Sequence, residues 1–480
     1  MNLKNPKHPD SAHPDSAHPD SAQRQISKHD AQLNSQIASP HALHLGNATR
    51  SGPMRVGIVG CGTAGSVAGA FLARRGWDVT VFERASPMQP TGAGLLIQPT
   101  GQHVLAHLGK LDWIRARATR VDRLLGVNTK GRAVLDVIYA DLSPTLHGLG
   151  VARGTLFRAC VDALQDSGGK VIEGATIQSI KPIGNCQSLL VARHSEVAHA
   201  STHIEQGPFD LVLVCDGARS ALRPAHAQSR QYAWGAAWSL LPDPNGAFIG
   251  QLSQVYKGVS TMVGFLPVGR EEPGGPELVA MFWSLPAREI DAFLAGNIMS
   301  LDAFKARVIS LMPRAETSIE SLKGWSQLLP ARYVDACVVP AFLTHQATPL
   351  PTRGACVAYL GDAAHSMSPQ LGQGANLALW DAWRLAELMP PCDVHSSQHT
   401  HETLSHILES WWRERKNHTR FYRVASRWLT PWFQGDIHAM AIARDTFMRP
   451  VSHLPWIHRQ MLESLVGIKT GILSAMKLPN

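Results

Sequence analysis

The run GCGTAG, from Gly60 to Gly65, has the residue types and spacing of a turn that binds the pyrophosphate of a dinucleotide. The first glycine permits a tight turn, the second lets the pyrophosphate approach the backbone, and the third lets helix and strand pack closely. The helix that begins here would direct unpaired N–H groups and a positive partial charge at the phosphates. Glu83, about 20 residues further on, is placed where a carboxylate hydrogen-bonds ribose hydroxyls. The turn alone does not distinguish NAD from FAD.

The elements around this turn are predicted to form a βαβ unit. An apolar strand, MRVGIVG, begins at Met54, a helix, TAGSVAGAFLARRG, follows the turn, and a second strand, DVTVFER, ends at Arg84. Further strands are predicted at GKVIEGA, DLVLVCD and ACVAYLGD. Residues 231–286 alternate aromatic and β-branched residues, which favours an antiparallel sheet, and the chain after about His395 is expected to be mainly helical.

Three runs, in this order, are similar to the FAD-dependent aromatic-hydroxylase family, the group A flavoprotein monooxygenases related to para-hydroxybenzoate hydroxylase. They are the glycine turn with Glu83-Arg84, the run DLVLVCDGARSALR, and the run LGDAAHSMSPQLGQGANLALWDA, which together span residues 54–388. The resemblance implies an α/β fold. It has an FAD-binding Rossmann-like βαβ core, an inserted antiparallel-sheet substrate domain and a helical C-terminal region.

The third run has a physical explanation once a flavin is expected. Its strand delivers Asp362 to the carboxyl edge of the sheet, where an acceptor suits the hydroxyls of the ribityl chain. Gly372 and Gly374 leave room for the isoalloxazine ring against bare backbone. The helix that begins near Asn376 would stabilise negative charge at the pyrimidine edge of the flavin.

Other positions carry over from the resemblance one at a time. Arg153 matches an arginine that contacts the ribityl or phosphate portion, and Arg84 matches a residue near the adenosine. The loop GAGLLIQPTG, which contains Gly94, resembles one that passes close to the flavin, and Asp216 matches an acid associated with flavin phosphate and pyridine-nucleotide handling. Ala375 departs from the family, where many relatives have another glycine. The predicted cofactor-binding residues are Gly60, Gly62, Ala64, Gly65, Glu83, Arg84, Gly94, Arg153, Asp216, Gly217, Asp362, Gly372, Gly374, Ala375 and Asn376.

The resemblance also implies a reaction cycle. NADH or NADPH reduces FAD, the reduced flavin captures O2, and a C4a-hydroperoxide hydroxylates a small aromatic or quinone-like substrate. The flavin carries this chemistry, so no catalytic side chain is assigned, and His365 is a weak candidate for a general base. Two alternatives are a flavin-dependent reductase of a prenylated or lipophilic substrate and a non-catalytic flavin-binding protein. Water must be excluded from such a site. Five aromatic residues of the middle region could cover the flavin: Trp234, Trp238, Phe248, Phe265 and Phe282. Packing inside the sheet is the favoured interpretation of these residues.

Composition limits the class of protein. The 480 residues are 44% hydrophobic and 17% charged, which is typical of a globular chain of two or three domains. The formal net charge of +8 is not gathered into a Lys/Arg block, so no nucleic-acid partner is predicted. Seven scattered cysteines without a CxxC pair, no stretch of about 18 apolar residues and no secretory signal favour the cytoplasm. Oligomeric state and the choice between NADH and NADPH stay open.

Four segments are expected along the chain. Residues 1–53, which repeat HPDSA three times, should be disordered because such a composition buries too little apolar surface. The FAD-binding domain is expected to be discontinuous, over residues 54–229 and 341–394, on either side of the substrate-domain sheet at residues 230–340. Residues 395–480 should form the helical C-terminal region.

The C-terminal region admits two interpretations. Ile457, Met461, Leu465 and Ile468 recur at helical spacing and make one apolar face, which is expected to pack on the protein. Peripheral membrane contact through this helix is the alternative. The run RDTFMRPVSHLPWIHRQMLESLVG loosely resembles the ubiquinone-biosynthesis hydroxylase branch, which favours a lipophilic substrate. A solvated loop rather than a metal site is predicted for a nearby group of histidines, His395, His399, His401 and His406.

Overall fold

The structure, a computed structural model, describes residues 52–89, 92–183, 186–193, 202–339, 356–392 and 401–477. Its strands are β1 (Arg55–Val59), β2 (Asp78–Phe82), β3 (Gly94–Ile97), β4 (Thr119–Asn128), β5 (Ala133–Ile138), β6 (Gly148–Ala152), β7 (Lys170–Ile172), β8 (Ala175–Ile183), β9 (Cys186–Arg193), β10 (Thr202–Phe209), β11 (Leu211–Val214), β12 (Gln228–Pro242), β13 (Gly250–Lys257), β14 (Thr261–Gly269), β15 (Leu278–Pro286), β16 (Leu329–Cys337) and β17 (Val357–Tyr359). Its helices are α1 (Thr63–Arg74), α2 (Pro99–His107), α3 (Leu111–Arg115), α4 (Arg153–Asp166), α5 (Ile290–Leu294), α6 (Leu301–Leu311), α7 (Glu316–Glu320), α8 (Asp362–His365), α9 (Gly374–Leu388), α10 (His401–Phe433), α11 (His438–Ser452) and α12 (Pro455–Val466).

The first sheet is parallel and carries both glycine-rich loops at its carboxyl edge. Its strand order is β17-β11-β1-β2-β7, so strands far apart in sequence lie side by side. The strands are runs of Val, Ile and Leu because both faces of this sheet are covered. On one face α1 and α9 pack together in a buried cluster that includes Val67 and Leu379, and the other face packs on strands β8 to β10. Burying each such side chain contributes about 1.5–3 kcal/mol.

The largest sheet is mainly antiparallel. Its order is β16-β12-β15-β14-β13-β4-β6-β3, with β5 added beside β4, and β13 and β4 are its parallel pair. The predicted antiparallel sheet of the middle region is therefore present as β12 to β15, and it is joined edge to edge with strands from residues 94–152. A separate three-stranded antiparallel sheet, β10-β9-β8, follows β7.

The two faces of the large sheet have different neighbours. Ala237, Met281 and Trp283 belong to a buried cluster with helices α5 to α7. Trp238 and Ala280, at alternate positions on the same strands, belong to a cluster with β3 and α12. Side chains alternate between the two faces along a strand. One face of the central strands therefore packs against β3, the edge strand of the same sheet, which lies in the GAGLLIQPTG loop.

Three helices, α10 to α12, make up most of the described C-terminal region. The apolar face of α12 packs inward, because Leu465 and Ile468 are buried and Met461 contacts the cluster formed with β3. The protein itself therefore covers this face, and peripheral membrane contact of the C-terminal region stays a prediction. No helix in the described part of the chain is long and apolar enough to cross a bilayer.

The predicted fold class is confirmed, with its βαβ core, inserted sheet and helical C-terminal region. The predicted strands GKVIEGA, DLVLVCD and ACVAYLGD correspond to β7, β11 and β17, with β8 beginning at the last residue of GKVIEGA. The HPDSA repeats and His395 and His399 lie outside the described residues. His401 and His406 lie in α10, so the solvated loop predicted for this group of histidines is wrong for these two. The domain boundaries stay a prediction, and the large sheet uses strands from both sides of residue 230.

Candidate functional site

The first loop of the candidate site is the turn between β1 and α1. Gly60 has a φ of +96°, which side chains rarely adopt, and a Cβ at Gly65 would lie 2.0 Å from the Gly60 carbonyl oxygen. The protein's own packing therefore requires glycine at both positions. A Cβ at Gly62 would meet no atom within 4 Å, so the backbone at the start of α1 faces open space that a phosphate could enter.

Glu83 lies just after β2 and is tied to this turn. Its Oε2 accepts a hydrogen bond from the Cys61 N–H at 2.9 Å, and its Oε1 accepts one from the Ala85 N–H at 3.0 Å. Each oxygen has further acceptor capacity for a ribose hydroxyl. Burial raises the pKa of the Cys61 thiol to about 11, so this thiol stays protonated near neutral pH and does not act as a nucleophile.

Asp216 and Asp362 follow adjacent strands, β11 and β17, and one arginine joins their loops. Arg223 Nε donates to the Ala363 carbonyl at 2.8 Å, and Nη2 donates to the carbonyls of Asp362 at 2.8 Å and Gly217 at 3.2 Å. All three of these acceptors are main-chain carbonyls, so Arg223 fixes the two loops relative to each other and leaves both carboxylates for other partners.

One oxygen of Asp216 is buried without a hydrogen-bond partner in the described structure. Burial raises the pKa of this carboxyl, and Ser220, Arg223 and Arg84 act in the opposite direction. A buried acceptor without a partner costs about 1–3 kcal/mol, so this oxygen is suited to accept a hydrogen bond from a ligand. A Cβ at the neighbouring Gly217 would meet no atom within 4 Å, so there is space beside it.

The second glycine-rich loop joins β17 to α9. Asp362 is exposed, and a Cβ at Gly374 would lie 3.7 Å from its Oδ1 atom. Gly372 has a φ of +62°, and its Cβ position is also open. Because α9 begins at Gly374, the free N–H groups of its first turn lie next to Asp362 and Gly372. A flat polar group could therefore approach bare backbone here.

Asn376 fastens the GAGLLIQPTG loop to α9. Its Oδ1 accepts from the Gln98 N–H at 2.9 Å, and its Nδ2 donates to the carbonyls of Leu96 at 3.1 Å and Gly372 at 3.0 Å. The Asn376 side chain therefore positions the loop. A Cβ at Gly94 would lie 2.5 Å from Val268, so the space around this glycine is filled by the large sheet.

Four more predicted residues lie around the same region. Arg153 is exposed at the start of α4, its N–H donates to the Ala93 carbonyl at 2.9 Å, and its side chain lies against Gly92. Arg84 is exposed and close enough to Asp216 to influence its pKa. Ala64 and Ala375 pack with the cluster between α1 and α9. Their roles in cofactor binding stay predictions.

Asp381, inside α9, accepts hydrogen bonds from three residues and was not among the predicted site residues. Its Oδ2 accepts from the Gly361 N–H at 3.1 Å and from His365 Nε2 at 2.5 Å, and its Oδ1 accepts from Arg415 Nε at 2.8 Å. Burial alone would raise the pKa of Asp381, but His365 and Arg415 hold it below its usual range. His365 is thus buried and bound to a carboxylate, which is the geometry of a residue that positions the Asp362 loop.

A second set of contacts reaches the loop from the C-terminal helices. Arg415 Nη1 donates to His418 Nδ1, so His418 carries its proton on Nε2 and donates it to the Gly467 carbonyl at 2.8 Å. Gln373, in the glycine-rich loop, donates to the carbonyls of Ser464 at 3.2 Å and Leu465 at 2.7 Å. The end of α12 is therefore connected to both sides of the second loop.

Two observations test whether FAD fits these residues. The orphaned Asp216 oxygen provides an acceptor, and the open Cβ positions at Gly62, Gly217 and Gly372 provide backbone surfaces that a ligand can approach. Acidic acceptors also lie beside both loops, at Glu83 and Asp362. The site thus offers carboxylate oxygens that accept hydrogen bonds from hydroxyls and backbone N–H groups that donate to phosphates. A flavin dinucleotide requires both kinds of partner. Within the described residues, no group of three metal-ligating side chains is found.

Comparison with known proteins agrees with this site. A family profile described as FAD binding domain matches residues 53–238 and 351–398. The chain is 24% identical over 392 residues to 6-hydroxynicotinate 3-monooxygenase of Pseudomonas fluorescens, covering 78% of this chain and 91% of that protein. It is 27% identical over 352 residues to 3-amino-4-hydroxybenzoate 2-monooxygenase of Streptomyces cremeus, covering 69% and 77%.

A solved structure of Klebsiella pneumoniae HpxO complexed with FAD and uric acid has the same fold, with a TM-score of 0.65, 20% identity, and coverage of 88% of this chain and 99% of that one. The fold and the two glycine-rich loops thus define a flavoprotein that binds FAD. More particularly, the chain belongs to the FAD-dependent aromatic monooxygenases, and the predicted family, enzyme class and cofactor are confirmed.

Proposed function

We propose that this protein hydroxylates a small, apolar aromatic or quinone-like compound, with NAD(P)H as reductant and O2 as oxidant. The observation that carries the proposal is the meeting of two glycine-rich loops, one after β1 and one after β17, at the carboxyl edge of the parallel sheet. Arg223 joins the second of them to the Asp216 loop, and one side of the large sheet packs on the GAGLLIQPTG loop that Asn376 holds to α9. When bound, FAD supplies the electron transfer and oxygen activation. The protein then has to bind, orient and keep water away.

The sheet face beside the flavin loop supports an aromatic substrate. Trp238, Leu240 and Ala280 on this face share an apolar cluster with Ala93 and Leu96 of the GAGLLIQPTG loop. These side chains would exclude water from a ring held between the sheet and the loop. Phe248 and Phe265, by contrast, stack on each other at 4.7 Å on the opposite side of the sheet, which makes them packing residues, as predicted.

Two polar groups on this face suit a substrate with a hydrogen-bond acceptor. The indole N–H of Trp238 is buried without a partner in the described structure. Tyr333, on the neighbouring part of the sheet, lies near this indole, and burial raises the pKa of its hydroxyl, so it stays protonated. Both groups can donate, so a phenolate, carbonyl or carboxylate oxygen on the ring would be recognised here.

An arginine-lined groove next to the Asp216 loop suits the phosphates of the reductant. It has a volume of about 360 Å³, and Arg219, Arg223 and Arg332 line it together with Ser229 and Gln231. Arg219 is exposed and forms no ion pair with the described residues, whereas Arg332 donates to Asp291 at 2.5 Å. A guanidinium group such as that of Arg219 binds phosphate oxygens well, so NADPH or NADH would dock here transiently.

The enzyme would also work at the periphery of a membrane if its substrate is lipophilic. This part of the proposal rests on the loosely matched C-terminal run and on the apolar side chains that α11 and the start of α12 leave exposed, such as Phe447 and Trp456. A substrate that partitions into lipid is most concentrated at the membrane surface, so contact there would supply it.

Oxygen uptake by the FAD-loaded protein with NADPH or NADH tests the function. The panel should include hydroxybenzoates, hydroxylated N-heteroaromatic acids, aminophenols and prenylated quinone precursors. We expect one class to stimulate both reductant oxidation and oxygen uptake, because substrate binding completes the dry site.

The same panel under anaerobic conditions distinguishes the alternatives. Multiple-turnover reduction of a prenylated compound without oxygen would establish the reductase instead. Tight FAD binding without stimulation by any compound, together with no flavin reduction by either nicotinamide, would establish a non-catalytic flavin-binding protein.

A further inference from the structure

The last described element of the chain is a short hairpin with an apolar tip. Residues 468–476 fold back on themselves through the Lys469–Ala475 bridge, and the Met476 N–H donates to the Ile468 carbonyl at 2.9 Å. The Thr470 N–H donates to the Ser474 carbonyl at 3.0 Å. Between them Ile472 and Leu473 are 74% and 83% exposed. An ordered turn thus holds two large aliphatic side chains in water.

A buried lysine fixes where this tip lies. Lys469 is 1% exposed, and its Nζ donates to the Ile472 carbonyl at 3.0 Å, to Gln460 Oε1 and to Glu463 Oε2 at 3.5 Å. The tip therefore lies alongside the middle of α12, near Gln460 and Glu463. Gln460 is about 6 Å along the helix axis from Trp456, which is itself 54% exposed.

Exposed apolar side chains are concentrated in this part of the protein. Of the 15 large hydrophobic residues exposed in the described structure, eight lie between residues 437 and 473. They are Ile437, Ile442, Phe447, Val451, Leu454, Trp456, Ile472 and Leu473. Single exposed hydrophobic residues are ordinary, but Ile472 and Leu473 stand side by side at the tip of an ordered turn, which indicates an interaction surface.

Charge decides which partner this surface fits. Residues 437–477 contain five Lys and Arg but two acidic residues. Both acids are paired within the protein, Glu463 with Arg459 and Lys469 and Asp445 with Arg444, so the net charge of these residues is positive and Lys477 is an exposed cation outside these pairs. The tip sequence TGILSAMK ends in an exposed lysine and has no acid. A second copy of this surface would repel it, whereas anionic lipid headgroups would attract it.

We propose that the hairpin tip, Ile472 and Leu473, inserts into the interface of an anionic membrane, with Trp456 beside it at the headgroup level. Tryptophan prefers that level because its ring is apolar and its N–H is polar. The inference rests on the proposed function for its purpose, which is access to a lipophilic aromatic substrate. The surface is distinct from the apolar face of α12, which packs against the protein.

Co-sedimentation of the FAD-loaded protein with vesicles tests the proposal. Vesicles of phosphatidylcholine are compared with vesicles that also contain phosphatidylglycerol. We expect binding to the anionic vesicles, and a loss of about tenfold or more in the partition coefficient of the double variant I472S/L473S. The matched control is I249S/I298S, which removes two exposed isoleucines of the substrate region and should bind as the original protein does.

The flavin absorption spectrum of each variant verifies that it is folded. Undiminished vesicle binding by I472S/L473S would overturn the proposal, as would failure of the original protein to bind anionic vesicles. A dimer that dissociates in the tip variant, without vesicle binding, would identify a second copy as the partner instead. No reductant or oxygen is used, so failure of the hydroxylase proposal would leave this result unaffected.

Discussion

Arg415 Nε donates to Asp381 Oδ1 at 2.8 Å, in an ion pair whose two side chains are 4% and 1% exposed. The pair joins the long C-terminal helix α10 to α9, the helix that begins at the second glycine-rich loop. Through its other oxygen, Asp381 holds the Gly361 N–H and His365, so the geometry of the Asp362 loop depends on a residue from the C-terminal region.

Removing the arginine should therefore release FAD as well as destabilise the fold. In R415A, Asp381 would be a buried charge without its partner, a change that costs about 3–5 kcal/mol. We expect a clearly lower melting temperature and weaker FAD binding, measured by the quenching of flavin fluorescence on titration.

The matched control is R384A, because Arg384 joins the same two helices through Glu414 but is more exposed. An exposed pair contributes about 0–1 kcal/mol, so R384A should bind FAD normally. Equal effects of R415A and R384A on FAD affinity would contradict the positioning role of Arg415.

Two glycines of the first turn should respond differently to alanine. G65A would place a Cβ 2.0 Å from the Gly60 carbonyl oxygen, so it should destabilise the protein even without FAD. G62A meets no protein atom, so the free protein should keep its melting temperature. FAD affinity of G62A should fall about ten- to hundredfold, because contacts to the phosphates worth about 1.5–3 kcal/mol are disturbed.

Isothermal titration with FAD and thermal unfolding of the free protein separate these effects. G324A, at another open glycine position away from both loops, is the control for the loss of a glycine. Unchanged FAD affinity in G62A would show that the pyrophosphate does not approach this backbone.

His418 should make stability depend on pH. Its pKa is held well below the usual value by burial and by Arg415, so it is neutral in the folded protein. Below pH about 6.5 the unfolded chain takes up a proton that the folded protein does not, and the free energy of unfolding falls by up to about 1.4 kcal/mol per pH unit. This contribution is present above pH about 6.5 and is lost as the pH decreases.

Urea unfolding at several pH values checks this dependence. The variant H418Q should lose this part of the slope between pH about 5.5 and 6.5. H438Q, which changes an exposed histidine at the start of α11, should keep it. Parallel pH profiles for the original protein and H418Q would argue against a neutral buried His418.

Arg219 should affect the reductant and not the aromatic substrate. In R219Q, a charge-assisted contact to a phosphate is lost, so the KM for NADPH or NADH should rise about tenfold. The KM for the aromatic compound and kcat should change little, because the groove lies outside the sheet face that holds the substrate. The control in steady-state kinetics is R230Q, which changes an exposed arginine of β12 that does not line the groove. A rise in the aromatic KM alone would place the substrate in this groove.

Much of the fold followed from local patterns in the sequence. The turn at Gly60 to Gly65 and the acid after β17 are strong signals because glycine and a strand-end carboxylate each have a specific physical use. Arg223 lies in the same run as Asp216, DLVLVCDGARSALR, so an arginine near that acid could have been predicted to contact the Asp216 loop. Arg415 and His418 gave none, because they lie on a helix whose partner, Asp381, is 34 residues away in sequence from Arg415. Contacts across such separations depend on packing, which spacing does not reveal.

The C-terminal region shows the same limit in another way. The spacing of Met461 and Leu465 correctly indicated an apolar helix face, but periodicity alone does not say what covers it. The structure buries that face on β3 and leaves Ile472 and Leu473 exposed in a turn that has no periodic pattern.

The most direct test of the central claim follows the oxygen atom. The FAD-loaded protein is given NADPH or NADH, the stimulating aromatic compound and isotopically heavy O2, and the product is weighed by mass spectrometry. A hydroxylated product that carries one heavy oxygen atom from O2 is the predicted result. A product that carries no oxygen from O2, formed while the gas is converted only to hydrogen peroxide, would contradict the assignment as a monooxygenase.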